Sequence, residues 1–153
     1  RRADHREVGR RSEGHRLMAF LDDIGTHLNG ATIAAQDLTL GTNLFLGRRP
    51  DTPDTLVAVY ETGGTAPEMV FGGNAAPPVE TRGLQVIARA AAYSTAEALC
   101  TDVFVALCLI DNETINSTRY LLADPVQSPF ALERDSHDRM LHVVNFLVTR
   151  EVS

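Results

Sequence analysis

The first regular pattern of apolar positions is helical. Phe20, Leu21, Ile24 and Leu28 recur at intervals of three and four after Met18, and Asn29-Gly30 supplies a stop, which predicts a short amphipathic helix. The pattern then changes to runs that suit strands. Thr39 to Gly47 holds a short one around Leu44, Phe45 and Leu46, closed by the turn-rich Gly47-Arg48-Arg49-Pro50-Asp51-Thr52-Pro53-Asp54. Leu56, Val57, Val59 and Tyr60 make a buried strand that ends at Gly63-Gly64.

Thr65 to Gly83 reads as a long loop, broken by Pro67, Gly72-Gly73-Asn74 and Pro77-Pro78, with Met69, Val70 and Phe71 as a brief strand inside it. In Leu84 to Tyr93, Gln85, Ile87 and Arg89 alternate with Leu84, Val86 and Ala88, as in a strand. Ser94-Thr95-Ala96-Glu97 has the spacing of a capping box, so a helix is expected from there to Ile110, burying Ala96, Leu99, Val103, Ala106, Leu107 and Ile110. Its second half has no polar residue on the opposite side either, because Phe104, Val105, Cys108 and Leu109 stand there. A subunit interface and burial within one chain both account for that.

Asp111-Asn112-Glu113 reads as a turn, followed by strands over Arg119 to Ala123, running on toward Ser128, and over Arg139 to Arg150. The last strand is apolar on both faces, as a central position in a sheet requires. Two helices with several hairpin-linked strands define an α+β class, a mainly antiparallel sheet with both helices packed on one face. Residues 18–153 are read as its single domain. Residues 1–17 have only Val8 and Leu17 as larger apolar side chains and read as a basic arm or leader held by a neighbour.

Charge sharpens this division. The arm carries six arginines against three carboxylates, net +3; the whole chain is −6, so residues 18–153 carry −9. An acidic body disfavours tight adhesion to nucleic acid, which needs a cationic patch that releases counterions. Lysine is absent, which excludes Schiff-base chemistry at lysine and a Walker-type phosphate loop. The longest apolar run, Val103 to Ile110, is eight residues and too short for a membrane helix, and the arm has no apolar signal core; an intracellular origin is expected. Cys100 and Cys108, about 12 Å apart along a helix, are expected as reduced core thiols rather than a disulfide or zinc site.

No catalytic, cofactor or metal site is expected. Ser136-His137-Asp138 has the letters of a hydrolase triad, but adjacent residues cannot stack into a hydrogen-bonded line, and the stretch from Glu133 reads as a polar turn. Asp22-Asp23 with His27 offers too few metal ligands and reads as a solvated helix face. Gly63-Gly64 and Gly72-Gly73 read as turn glycines. Asn112-Glu113-Thr114 and Asn116-Ser117-Thr118 match the glycosylation pattern and are expected to be unmodified.

From Asn43-Leu44-Phe45-Leu46-Gly47-Arg48-Arg49-Pro50-Asp51-Thr52-Pro53-Asp54 through Val57-Ala58-Val59-Tyr60-Glu61-Thr62-Gly63-Gly64, the order of features resembles the minor capsid family of long-tailed bacteriophages that includes tail terminators. Leu84 to Ala90 before the second helix, Ser128-Pro129-Phe130 leading to Glu133-Arg134-Asp135, and the closing strand Arg139 to Phe146 agree with it. The resemblance runs from about Met18 to the C-terminus and leaves the arm outside. It implies a non-enzymatic virion protein, assembled in the host cytoplasm: a sixfold homo-oligomeric ring that caps the tail tube and joins it to the head–tail connector or stopper proteins. Genomic DNA would pass through its pore without specific binding during ejection. Candidate interface residues are Phe104, Val105 and Leu109 on the helix, Met69, Val70 and Phe71 in the loop, and Arg48 and Arg49 in the turn. The alternatives are a head-completion or stopper protein of the same neck, and a small soluble enzyme or ligand-binding module with His142 at the base of a pocket.

Overall fold

A computed structural model describes residues 20–33, 36–67 and 78–152. The arm, and Met69, Val70 and Phe71, lie outside the described residues.

Helix α1 spans 20–28, and Gly30 follows it at φ 80°, a left-handed conformation that glycine adopts without a Cβ penalty. A two-stranded antiparallel sheet not expected from the pattern comes next, β1 (Thr32–Ile33) with β2 (Gln36–Asp37). The main sheet then forms from β3 (Leu44–Leu46), β4 (Leu56–Thr62), β5 (Val79–Ala90), β6 (Asp111–Ile115), β7 (Thr118–Pro125), β8 (Phe130–Arg134) and β9 (Met140–Glu151). Helix α2 (Tyr93–Cys108) connects β5 to β6.

The strand order is β3-β4-β5-β9-β7-β6, with β8 also on β9. Every pair is antiparallel except β3 with β4, which is parallel. The fold is therefore α+β with a mostly antiparallel sheet. β9 is central, as its two apolar faces require. It pairs with β5 along its whole length on one side, and with β7 and then β8 on the other.

Register sets the core. Val59, Val86 and Val144 lie in line across three strands, as do Glu61, Leu84 and Phe146. Val57, Val59, Leu84, Val86, Ala88, Val144, Phe146 and Val148 form one buried cluster with Phe20, Ile24 and Leu28 of α1 and Leu99, Cys100, Val103 and Leu107 of α2. Each such fully buried aliphatic or aromatic side chain contributes about 1.5–3 kcal/mol. The alternate positions Ile87, Leu141 and Val143 form a smaller cluster against Tyr60, and Phe45, Leu56 and Ala58 another.

Several boundaries differ from the sequence reading, each for a local reason. β5 begins at Val79, inside the expected loop, because Val79 to Gly83 pair with Leu147 to Glu151 despite the prolines before them. Gly83 is required there: a Cβ would lie 2.2 Å from Thr62 Oγ1 and 2.5 Å from Gly63 O, and a Cβ at Gly64 would lie 2.0 Å from Thr81 O. These glycines permit two strand ends to approach closely, a stricter role than a turn.

The expected capping box does not form. Extended Ala92 is the N-cap without a side-chain bond, the Ala96 amide already bonds Ala92 O, and Ser94 and Glu97 therefore sit inside the helix. Asp111-Asn112-Glu113 is strand rather than turn; the reversal comes at Asn116-Ser117, with φ of 48° and 68°, a two-residue loop that suits the twist of β6 and β7. β8 was not anticipated because its five residues are all exposed and show no alternation of burial. Cys100 is a buried free thiol, as expected, but Cys108 is exposed, since the end of α2 turns that position to solvent.

Candidate functional site

Two buried arginines shape the surface beside β3 and β4. Arg89 of β5 is 2% exposed, and its guanidinium donates to the carbonyls of Pro53 at 2.6 Å, Pro50 at 2.7 Å, Asp54 at 3.1 Å and Asp51 at 3.3 Å. Burial, and then the neighbouring charge of Arg139, push the Arg89 guanidinium below its usual range. Arg139, also buried, donates to Asp135 at 2.8 Å, to the Asp51 carboxylate at 3.0 Å and to Asp54 at 3.2 Å, and bonds the Asp51 carbonyl as well. The planar guanidinium can serve several acceptors at once, so these two side chains fix the path of residues 50–54. Arg48 and Arg49, immediately before this segment, are exposed to solvent; Arg48 sits 5.2 Å over the Phe45 ring.

Asp135 is the anchor of this cluster. Burial raises its carboxyl, but the backbone amides of Arg139 and His137 and the Arg139 guanidinium outweigh that and hold it at about 2.

A second polar network locks α1 onto the sheet. Tyr120 Oη donates to Asp23 Oδ2 at 2.5 Å, Asn116 Nδ2 donates to Asp23 Oδ1 at 3.0 Å and to Thr26 at 2.9 Å, and Arg150 reaches Glu80 at 2.7 Å. His27 bonds Ala106 O at 2.8 Å and lies 3.4 Å from Glu113. Asp23 is thus 3% exposed, which corrects the reading of a solvated helix face: its oxygens have partners from the β6–β7 hairpin that the sequence placed far away. The glycosylation-like asparagines are engaged too, Asn112 accepting from Arg119 at 2.6 Å and Asn116 as above.

The third feature is apolar. Among the described residues, six of the eight exposed large hydrophobic side chains, Val105, Leu109, Leu122, Val126, Phe130 and Leu132, belong to α2's second half, β7, β8 and their connections. Leu109 is 72% exposed. Of the candidate interface residues, Val105 and Leu109 stand here, while Phe104 is half-buried with its ring 5.9 Å from Phe146. Arg48 and Arg49 lie at the other side of the sheet, and the two groups are not brought together.

Ser136 Oγ is 3.3 Å from His137 Nδ1, and the same nitrogen is 3.3 Å from Asp51 Oδ1, so one atom is shared and no relay of nucleophile, base and orienter is built. His142 is buried with its ring edge-on to Tyr93 at 4.8 Å and, among the described residues, no partner on Nδ1. Burial lowers its pKa, partly offset by Glu97. Among the described residues no three His, Cys, Asp or Glu side chains are grouped to hold a metal, and no helix is long and apolar enough to cross a membrane.

The sequence reading missed Arg89 and Arg139 as a pair. Its signal was present: an arginine inside an otherwise apolar strand, opposite a turn crowded with carbonyls and aspartates.

A family model for bacteriophage tail terminator proteins matches residues 32–152, from β1 to the end of β9. The chain belongs to the bacteriophage tail terminator family. No curated protein matches it. The matched segment contains both arginine anchors, the pinned loop and the exposed Val105 and Leu109 of this tail terminator, and α1 precedes it. The family is one of structural tail components.

Proposed function

We propose that this chain is the subunit of a closed homo-oligomeric ring, sixfold in the expected form, that caps the phage tail tube and joins it to the neck. Family membership over residues 32–152 carries the reading. Both helices are taken to cover one face of the sheet, since their buried side chains share one cluster, which leaves the flank with Val105 and Leu109 for a neighbour. Exposed apolar residues such as these two are a common mark of protein association.

The tail tube protein and the connector or stopper proteins are the proposed further partners, with assembly in the host cytoplasm. Genomic DNA would slide through the pore, because an acidic subunit with net charge −6 repels phosphate rather than releasing its counterions. The chemistry is geometric: no bond is made or broken, and specificity lies in which surfaces meet.

Native mass spectrometry of the purified chain tests this. A single closed oligomer is expected. A monomer at every concentration, both alone and with tail tubes, would remove the ring.

A further inference from the structure

β3 and β6 stand at opposite ends of the main strand path. The cationic loop lies at the β3 end. Among the described residues Arg48 and Arg49 form no ion pair, whereas Asp51 and Asp54 of the same loop are taken up by Arg139. Arg89 holds the carbonyls of residues 50–54 just after them and the Gly47 amide just before them bonds Val59 O, so these two charges are displayed on a backbone anchored on both sides that needs little ordering on binding.

The β6 end has the complementary character. Asp111 pairs with Leu122 across the hairpin, and Asp124 lies two positions further along β7. Both carboxylates are exposed and form no ion pair among the described residues. Asp111 stands beside its exposed register partner Leu122 and two positions after exposed Leu109, and Asp124 is near enough to the end of α2 to add to the effect of burial in raising the Cys108 thiol. Carboxylates unpaired among the described residues, together with exposed Leu122, thus stand at one edge opposite arginines at the other.

We infer that the loop arginines Arg48 and Arg49 of one copy dock against the Asp111 and Asp124 flank of the next copy, in a head-to-tail contact between opposite edges of the sheet. This rests on the ring reading above and specifies its interface. The occupant is a second copy because the two patches are complementary in charge, and a patch that meets a different patch on an identical molecule produces a heterologous contact that repeats and can close.

The test is charge exchange, read by native mass spectrometry and light scattering across salt concentrations. Arg48→Glu with Arg49→Glu should weaken association by at least about tenfold, and so should Asp111→Arg with Asp124→Arg. The chain carrying all four substitutions should recover assembly, as should an equal mixture of the two double variants, because each then offers the edge the other lacks. Unchanged thermal unfolding of each variant monomer establishes that folding is intact. An oligomeric parent whose assembly is untouched by either double variant, or not recovered by the fourfold one, overturns this interface and leaves the ring standing. A parent that is monomeric both alone and with tail tubes overturns both.

Discussion

Tyr120 and Asp23, 97 positions apart, are joined by a hydrogen bond of 2.5 Å from the phenol to the buried carboxylate. Through it the β6–β7 hairpin holds α1 in place. Replacing Tyr120 by Phe leaves the Asp23 oxygen buried with one donor fewer, which is expected to cost about 1–3 kcal/mol. Urea unfolding of Tyr120→Phe measures this directly; an unchanged midpoint would show that α1 is held by its apolar face alone.

Arg89 is expected to control the loop rather than the core. Arg89→Met keeps most of the side-chain volume but deprives four carbonyls of their donor, and a loss of about 1–3 kcal/mol follows. Hydrogen exchange should then rise in residues 47–55 with β5 and β9 amides still protected. Uniform loss of protection across the sheet would contradict a local role.

Acid should act in two stages. Buried His142 is held below the usual histidine range, so its neutral form stabilises the fold above about pH 6.5 and that contribution is lost as the pH falls below it. Asp135, held at about 2, has its carboxylate contribution complete above about pH 4 and loses it as the pH falls toward 2. Melting temperatures of His142→Phe should be flatter in the first window and those of Asp135→Asn flatter in the second. Parallel pH profiles for both variants and the parent would refute the assignment.

Val105 and Leu109 are half or more exposed, so serine at both positions should change unfolding of the isolated chain by no more than about 0.5 kcal/mol. The effect should fall on association, seen as a lower oligomer fraction at equal concentration. A large loss of monomer stability with normal assembly would place these side chains in the core instead.

Much of the architecture was legible in the sequence. The strand around Val57 to Tyr60, the buried face of α2 and the central, doubly apolar β9 follow from periodicity, because there the sheet and core agree with local pattern. The capping box failed because the helix begins at Tyr93 with Ala92 as its N-cap, which leaves Ser94 inside the first turn instead of before it. β8 was invisible because an exposed edge strand has no buried alternation to read. Of the residues named from the chain, Val105, Leu109, Arg48 and Arg49 are exposed as surface positions would be, but the buried roles of Arg89, Arg139 and Asp23 depend on partners tens of residues away, a distance at which no local pattern operates.

The most direct measurement of the central claim is the length and attachment of tails made in an infection lacking this chain, scored by electron microscopy. Overlong tubes of variable length, unjoined to heads, are expected, with normal length and joining restored when the chain is supplied. Tails of normal length attached to full heads in its absence would contradict the account.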